Sequence, residues 1–389
     1  MQGGKKIAEG GYGCVYYPAL KNDGNENNDE SIITKLMEYN HSAKNELHIG
    51  KTIVVINGYK NHFAPVITHS FLNKNIIKKD IFKNCSIIDT KNTIKQFILL
   101  KMDYIKGDDF LNYVLKNNEK QIVKNIINSY THLLKSLILL LDYNIIHFDM
   151  KGDNILFNKV KQIPIIIDFG ISIPFKELKN IKSIQDYKKY FFGYFPEYHI
   201  WPLEIHYLCY LLHVHDNPDK DNISAIVNDV IKNNPALNEN MSPSFLNKYK
   251  HNCIDYLTSI NNKKTIYEKI NSVVNYWQTW DNYSLSVMYL KFLRYMNVEG
   301  YKDNNFIIFF SQILLKNIHP NPSRRLTVTQ TWQSFNQFLY KLEVNNIITF
   351  EEITEDYIKN REKINKEVFK NKTNVRLITK KIVDKKNDV

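Results

Sequence analysis

The segment His147-Phe148-Asp149-Met150-Lys151-Gly152-Asp153-Asn154 groups an acid, a lysine and an amide. Ile167-Asp168-Phe169-Gly170 adds a second acid nineteen positions after the first. Phosphoryl transfer from MgATP needs such a set, because its catalysis is almost entirely positioning and charge stabilisation. Asp149 can orient and deprotonate an attacking hydroxyl, and Lys151 can stabilise the γ-phosphoryl group as charge develops. Asn154 and Asp168 can each hold a Mg²⁺ ion. A bare His-x-Asp triplet arises by chance; the combined H-x-D-x-K-x-x-N and D-F-G strings are far more specific.

These side chains need a scaffold, and the flanking sequence supplies one. Residues 7–16 read as strand, glycine turn, strand, with Gly10, Gly11 and Gly13 letting backbone N–H groups approach phosphates. Residues 21–30 read as an exposed loop, and 31–36 as the next strand, which carries Lys35. A charge inside an apolar strand is costly unless paired, and Glu46 in the helical segment 42–51 is its natural partner. An ordinary surface position is the bland alternative for Glu46. Residues 96–104 form a buried-strand run. Residues 121–143 are apolar at helical spacing (Ile122, Ile126, Tyr130, Leu133, Leu137), a helix to support the catalytic loop from behind. Two short strands, 155–157 and 165–167, carry Asn154 and Asp168 at their ends, where side-chain motion is limited.

Together the motifs resemble eukaryotic-type Ser/Thr protein kinases, over roughly residues 7–339. The resemblance implies an α+β, two-lobed fold: a small β-rich lobe (1–103), a larger helical lobe (104–345) and ATP in the cleft between. It implies that Lys35 grips the α- and β-phosphates and that Val15 packs on the adenine. The hinge backbone at Asp103 and Ile105 would hold the adenine edge, with Met102 beside the purine and Asp109 near the ribose. ATP and Mg²⁺ are the implied cofactors. The lysine in D-x-K-x-x-N resembles Ser/Thr kinases, so the implied partner is a protein substrate with a Ser/Thr acceptor.

The chain departs from the family pattern in several places. Ala8 stands where the first loop glycine is usual. Phe148 replaces the Arg that normally pairs with a phosphate on the activation segment, so activity is expected not to require that phosphate. Both Phe195-Pro196-Glu197 and Trp201-Pro202-Leu203-Glu204 echo the A-P-E string that ends this segment, with Glu204 preferred. Arg325 is the implied ion-pair partner of Glu204, and Asp281 the implied acceptor for the catalytic-loop backbone. Much of 217–277 reads as a helical insertion (223–231, 245–260, 266–277), either a partner-docking element or inert elaboration. The insertion, the W-P-L-E and W-D-N-Y-S-L strings and the Asn/Lys/Ile/Tyr bias resemble Ser/Thr kinases of large DNA viruses. A viral source would place the protein in host cytoplasm or virion.

At 389 residues and 43% hydrophobic, the chain can build a full core. Cys14, Cys85, Cys209 and Cys253 show no pairing or metal-ligand spacing, so reduced, inert thiols are expected. No run approaches the ~20 apolar residues of a membrane span. Residues 1–6 hold no apolar signal core and Gln2 follows Met1, so a soluble, intracellular chain without a myristoyl anchor is expected. Of the net charge of +12, residues 358–389 hold eleven Lys/Arg against four Asp/Glu. The basic tail (346–389) could touch nucleic acid, but Phe369 is the one aromatic residue among the charges of 358–389, so a solvated extension is favoured. The rival to an enzyme is a catalytically silent pseudokinase scaffold binding nucleotide or partners; a nucleic-acid-binding protein is the second.

Overall fold

Short runs rich in β-branched and aromatic residues build the amino-terminal sheet. In the computed structural model, residues 4–10, 13–21, 29–72, 85–88, 96–115, 119–239, 241–298 and 305–344 are described. Strands β1 (Lys5–Gly10), β2 (Gly13–Tyr17), β3 (Ile32–Glu38), β4 (Val66–Phe71) and β5 (Phe97–Asp103) pair antiparallel in the order β1-β2-β3-β5-β4. The register sets Lys35 opposite both Val15 and Leu100, in the middle of the sheet. Helix α1 (His41–Ile53) follows after only two residues, started by Asn40, whose side chain accepts the Ala43 N–H. That short connection brings Glu46 back over β3.

Carboxy-terminal to the sheet the chain turns helical. Helices α2 (Phe110–Leu115) and α3 (Glu119–Asp142) are followed by the small strands that carry the site. Strand β6 (Gly107–Asp109) pairs with β8 (Ile155–Asn158), which pairs with β9 (Ile163–Ile166); β7 (Ile145–Ile146) pairs with β10 (Ile173–Pro174). Then come α4 (Phe175–Lys179), α5 (Ile184–Tyr187), α6 (Leu203–His213), α7 (Lys220–Asn233), α8 (Pro235–Asn238), α9 (Pro243–Asn261) and α10 (Ile266–Val274). Helices α11 (Trp280–Val298), α12 (Asn305–Asn317) and α13 (Val328–Val344) close the lobe. The fold is α+β and two-lobed, the kinase-like arrangement the resemblance implied.

Helix α3 is the spine of the larger core. Its Tyr130 ring meets Tyr289 (4.9 Å), Phe310 (4.9 Å) and Phe335 (5.0 Å) edge-on, tying α3 to α11, α12 and α13. Such aromatic edges add about 0.5–1.5 kcal/mol each beyond area burial. The insertion helices are started by local caps: Asp219 with Asn222 for α7, Ser242 for α9, Thr265 with Glu268 for α10. Their apolar faces join the same core, and Tyr249 donates to the Ile318 carbonyl at 2.8 Å. The insertion is therefore a built part of the helical lobe. The basic tail lies outside the described residues.

One expectation is corrected here. Cys14 and Cys85 form a disulfide, 71 residues apart in sequence and 6.0 Å apart between Cα atoms. The bond joins β2 to the segment 85–88 inside a small cluster with Tyr16, Leu20, Leu36 and Phe97. Spacing carried no signal because the two partners meet through tertiary packing. Cys209 and Cys253 are free, buried thiols, and burial pushes Cys209 up to about 12.

Candidate active site

Where β1 turns into β2, Gly10 and Gly13 pair across the hairpin, while Gly11 lies outside the described residues. A Cβ on Gly13 would stand 2.4 Å from the Leu36 carbonyl, so glycine is required there by the close approach of β3. Gly10 has open space around it. Ala8 is exposed and pairs with Val15, which in turn pairs with Lys35.

The Lys35 ammonium is buried between two carboxylates. Its Nζ lies 3.0 Å from Glu46 Oε2, 3.2 Å from Oε1 and 2.8 Å from Asp168 Oδ1. Burial alone would lower the ammonium's pKa, but Glu46 and Asp168 more than offset it and hold the group above the usual lysine range. Burial, helped by nearby Asp168, pushes the Glu46 carboxyl up to about 7 against the pull of Lys35. Asp168 goes the other way: burial opposes ionisation, but Lys35 and the Gly170 N–H keep it below the ordinary carboxylate value. Glu46 is 1% exposed, which removes the surface alternative weighed from sequence. Ser42 donates to the Gly170 carbonyl (3.0 Å) and Asn45 to the Ser172 carbonyl (2.7 Å), fastening α1 to the D-F-G segment.

The segment 147–154 is fixed from below by Asp281. Its carboxylate, fully buried, accepts the His147 N–H (2.7 Å) and the Phe148 N–H (2.8 Å). Phe148 sits at φ 66° and Asp168 at φ 60°, left-handed conformations that non-glycine residues adopt at a cost of about 1–3 kcal/mol. Packing sustains the first: the Phe148 ring stacks on Trp201 (4.8 Å), and Trp201 Nε1 donates to the Phe148 carbonyl (2.9 Å). An aromatic cluster thus stands where the family's phosphate-pairing Arg would be. Past the loop, Asn154 Nδ2 donates to the Asp149 carbonyl (2.9 Å) and to Asp149 Oδ2 (2.8 Å). Lys151 Nζ is 3.0 Å from Asp149 Oδ2. The Tyr198 hydroxyl donates to the other oxygen, Asp149 Oδ1, and lies 3.4 Å from Lys151 Nζ.

The donor set fits a magnesium-bound nucleotide. Asn154 directs its amide nitrogen at Asp149, which leaves its amide oxygen as a hard ligand atom, and Asp168 is an ionised carboxylate beside it in the fold. Among the described residues no cluster of three His, Cys, Asp or Glu could enclose a metal alone. An amide oxygen with one carboxylate suits Mg²⁺, which is usually held by one or two carboxylates, substrate phosphates and water.

Asp103 ends β5 with its carboxylate 2.9 Å from Lys60 Nζ. The neighbouring Tyr104 N–H bonds the Ser31 carbonyl at 2.6 Å. Ile105 follows, half-buried. Asp109 is exposed, caps α2 by accepting the Asn112 N–H (2.9 Å), and lines a cavity of about 570 Å³ with Lys151 and Tyr198. The two A-P-E echoes separate cleanly. Glu204 forms a two-pronged ion pair with Arg325 (2.6 and 2.9 Å), both side chains 0% exposed, whereas Glu197 is exposed on the cavity wall. Sequence reasoning missed Tyr198, Ser42 and Asn45. No spacing rule marks them; Tyr198 sits right after the decoy Phe195-Pro196-Glu197 string.

Comparison with known proteins agrees with this geometry. The protein kinase domain family model matches residues 1–192. The probable serine/threonine-protein kinase fnkB of Dictyostelium discoideum is 29% identical over 140 residues, 32% of this chain and 25% of that protein. The chain thus matches about a quarter of this relative's length. Both matches support the protein kinase superfamily. Among the described residues, no helix is long and apolar enough to cross a membrane.

Proposed function

We propose that the chain is an ATP-dependent protein kinase that transfers the γ-phosphoryl group of MgATP to Ser/Thr hydroxyls of protein substrates. One observation carries the reading: two charged clusters, Lys35–Glu46–Asp168 and Asp149–Lys151–Asn154, are each bonded internally. A silent scaffold has no need to keep both. Lys35, aimed by Glu46, holds the α- and β-phosphates, and Asp149 orients the acceptor hydroxyl and takes its proton. Lys151 neutralises charge that develops on the transferred group. Asn154 and Asp168 would hold Mg²⁺, which when bound offsets the phosphate charge. The backbone at Asp103 and Ile105 takes the adenine edge, the glycines at 10, 11 and 13 admit the phosphates, and Asp109 stands at the ribose side.

The substrate class rests on Lys151 and on the serine/threonine specificity in the name of the Dictyostelium relative. Similarity to kinases of large DNA viruses remains part of the proposal, resting on the insertion and the composition. The test is phosphoamino-acid analysis after incubation of the chain with labelled MgATP and a generic basic protein. Phosphoserine or phosphothreonine in the acceptor is expected. Measurable MgATP binding with no transfer to any acceptor would favour the scaffold instead.

A further inference from the structure

We propose that Tyr198 is an intramolecular phosphate acceptor, so that the chain phosphorylates its own tyrosine; this rests on the kinase reading above. The hydroxyl of Tyr198 donates to Asp149 Oδ1, the carboxylate assigned to receive the acceptor proton. Lys151 Nζ lies 3.4 Å from the same hydroxyl and 5.5 Å from the ring centre, so the phenol is flanked by base and charge stabiliser together. These are the two neighbours an attacking hydroxyl requires.

The segment holds the ring there. Tyr198 N–H bonds the Phe195 carbonyl (2.9 Å) and Trp201 N–H bonds the Tyr198 carbonyl (3.1 Å). Trp201 meets the ring edge-on at 4.7 Å and is itself tied to the catalytic loop through the Phe148 carbonyl. A free phenol has a pKa near 10, so it needs a base to become a nucleophile, and Asp149 is in contact. In the step, Asp149 takes the phenolic proton as the bond from Tyr198 Oη to the γ-phosphorus forms. The bond from that phosphorus to the β,γ-bridging oxygen breaks, and ADP leaves. The product phosphate, with a charge of about −1.5 to −2, is repelled by Asp149. The adjoining cavity carries Lys291 on its wall, a cation to which it can turn.

The experiment uses the full chain, first stripped of phosphate, then given MgATP, with peptide mapping by mass spectrometry. A generic basic protein and a mass-tagged Asp149→Asn chain are present. Phosphate at Tyr198 of the wild-type chain is expected, at a rate per chain independent of protein concentration, with the tagged chain unmodified. Tyr198→Phe should lose that phosphopeptide. Transfer to the basic protein with Tyr198 unmodified would overturn this inference and leave the kinase reading standing, Tyr198 then merely orienting Asp149. Phosphate on Tyr198 of the tagged chain would also overturn it, by showing transfer between molecules. Transfer to neither acceptor would defeat the kinase reading itself, and this inference with it.

Discussion

Lys35 is held by two carboxylates of opposite character. Asp168 stays ionised, whereas burial pushes Glu46 up to about 7. A carboxyl is charged above its pKa, so Lys35 keeps its Glu46 partner above pH 7 and loses it as the pH falls through that value. Phosphate transfer is therefore expected to decline below about pH 7. Glu46→Gln should lower transfer by about tenfold, equivalent to about 1.4 kcal/mol, and flatten that acid limb. Initial rates across pH 5–9 at saturating MgATP check this; a wild-type profile flat to pH 5 would contradict it. Lys35 and Glu46 were legible in the sequence, because a lone charge in an apolar strand demands a partner and a helix followed within reach. Tyr198 was not, since nothing local distinguishes a tyrosine that reaches the catalytic loop from one that packs.

The elements are fastened by a few buried polar devices. Glu204 on α6 and Arg325 just before α13 are both fully buried, and the guanidinium also lies over the Tyr283 ring at 5.0 Å. Removing either charge leaves the other unpaired, so Glu204→Gln or Arg325→Met should each cost about 3–5 kcal/mol. The double variant Glu204→Leu/Arg325→Met should cost less than the two single changes added together. Chemical denaturation of the three variants decides it. At the other lobe, replacing Cys14 and Cys85 by Ser should lower stability by about 2–4 kcal/mol, as the crosslink no longer restricts the unfolded chain. Calorimetry with and without reductant on the wild type checks the same point. The Glu204 pairing was readable from the Trp-Pro-Leu-Glu string; the disulfide was not, because cysteine spacing says nothing about partners brought together across a sheet.

On the scale of the whole molecule, the helical lobe buries histidines as well as hydrocarbons. His206 on α6 is fully buried beside Trp201, and burial pushes its imidazole down to about 4. A pKa depressed on folding stabilises above the unfolded value and is lost as the pH falls. His206 should thus cost about 3 kcal/mol between pH 6.5 and 4. His206→Phe is expected to move the acid-unfolding midpoint to lower pH, followed by circular dichroism. The α+β division and the order of the motifs were legible through the family resemblance that the H-x-D-x-K-x-x-N and D-F-G strings carry. The place of the insertion was not: its length was plain, but only the structure shows Tyr249 bonded to Ile318 and its helices sharing the main core. The central claim is that Asp149 does chemistry. Transfer from labelled MgATP to a basic protein, measured for wild type and Asp149→Asn alongside nucleotide binding, tests it most directly. Loss of transfer with MgATP binding and folding intact is the expected result; a variant that transfers phosphate as fast as the wild type would contradict it.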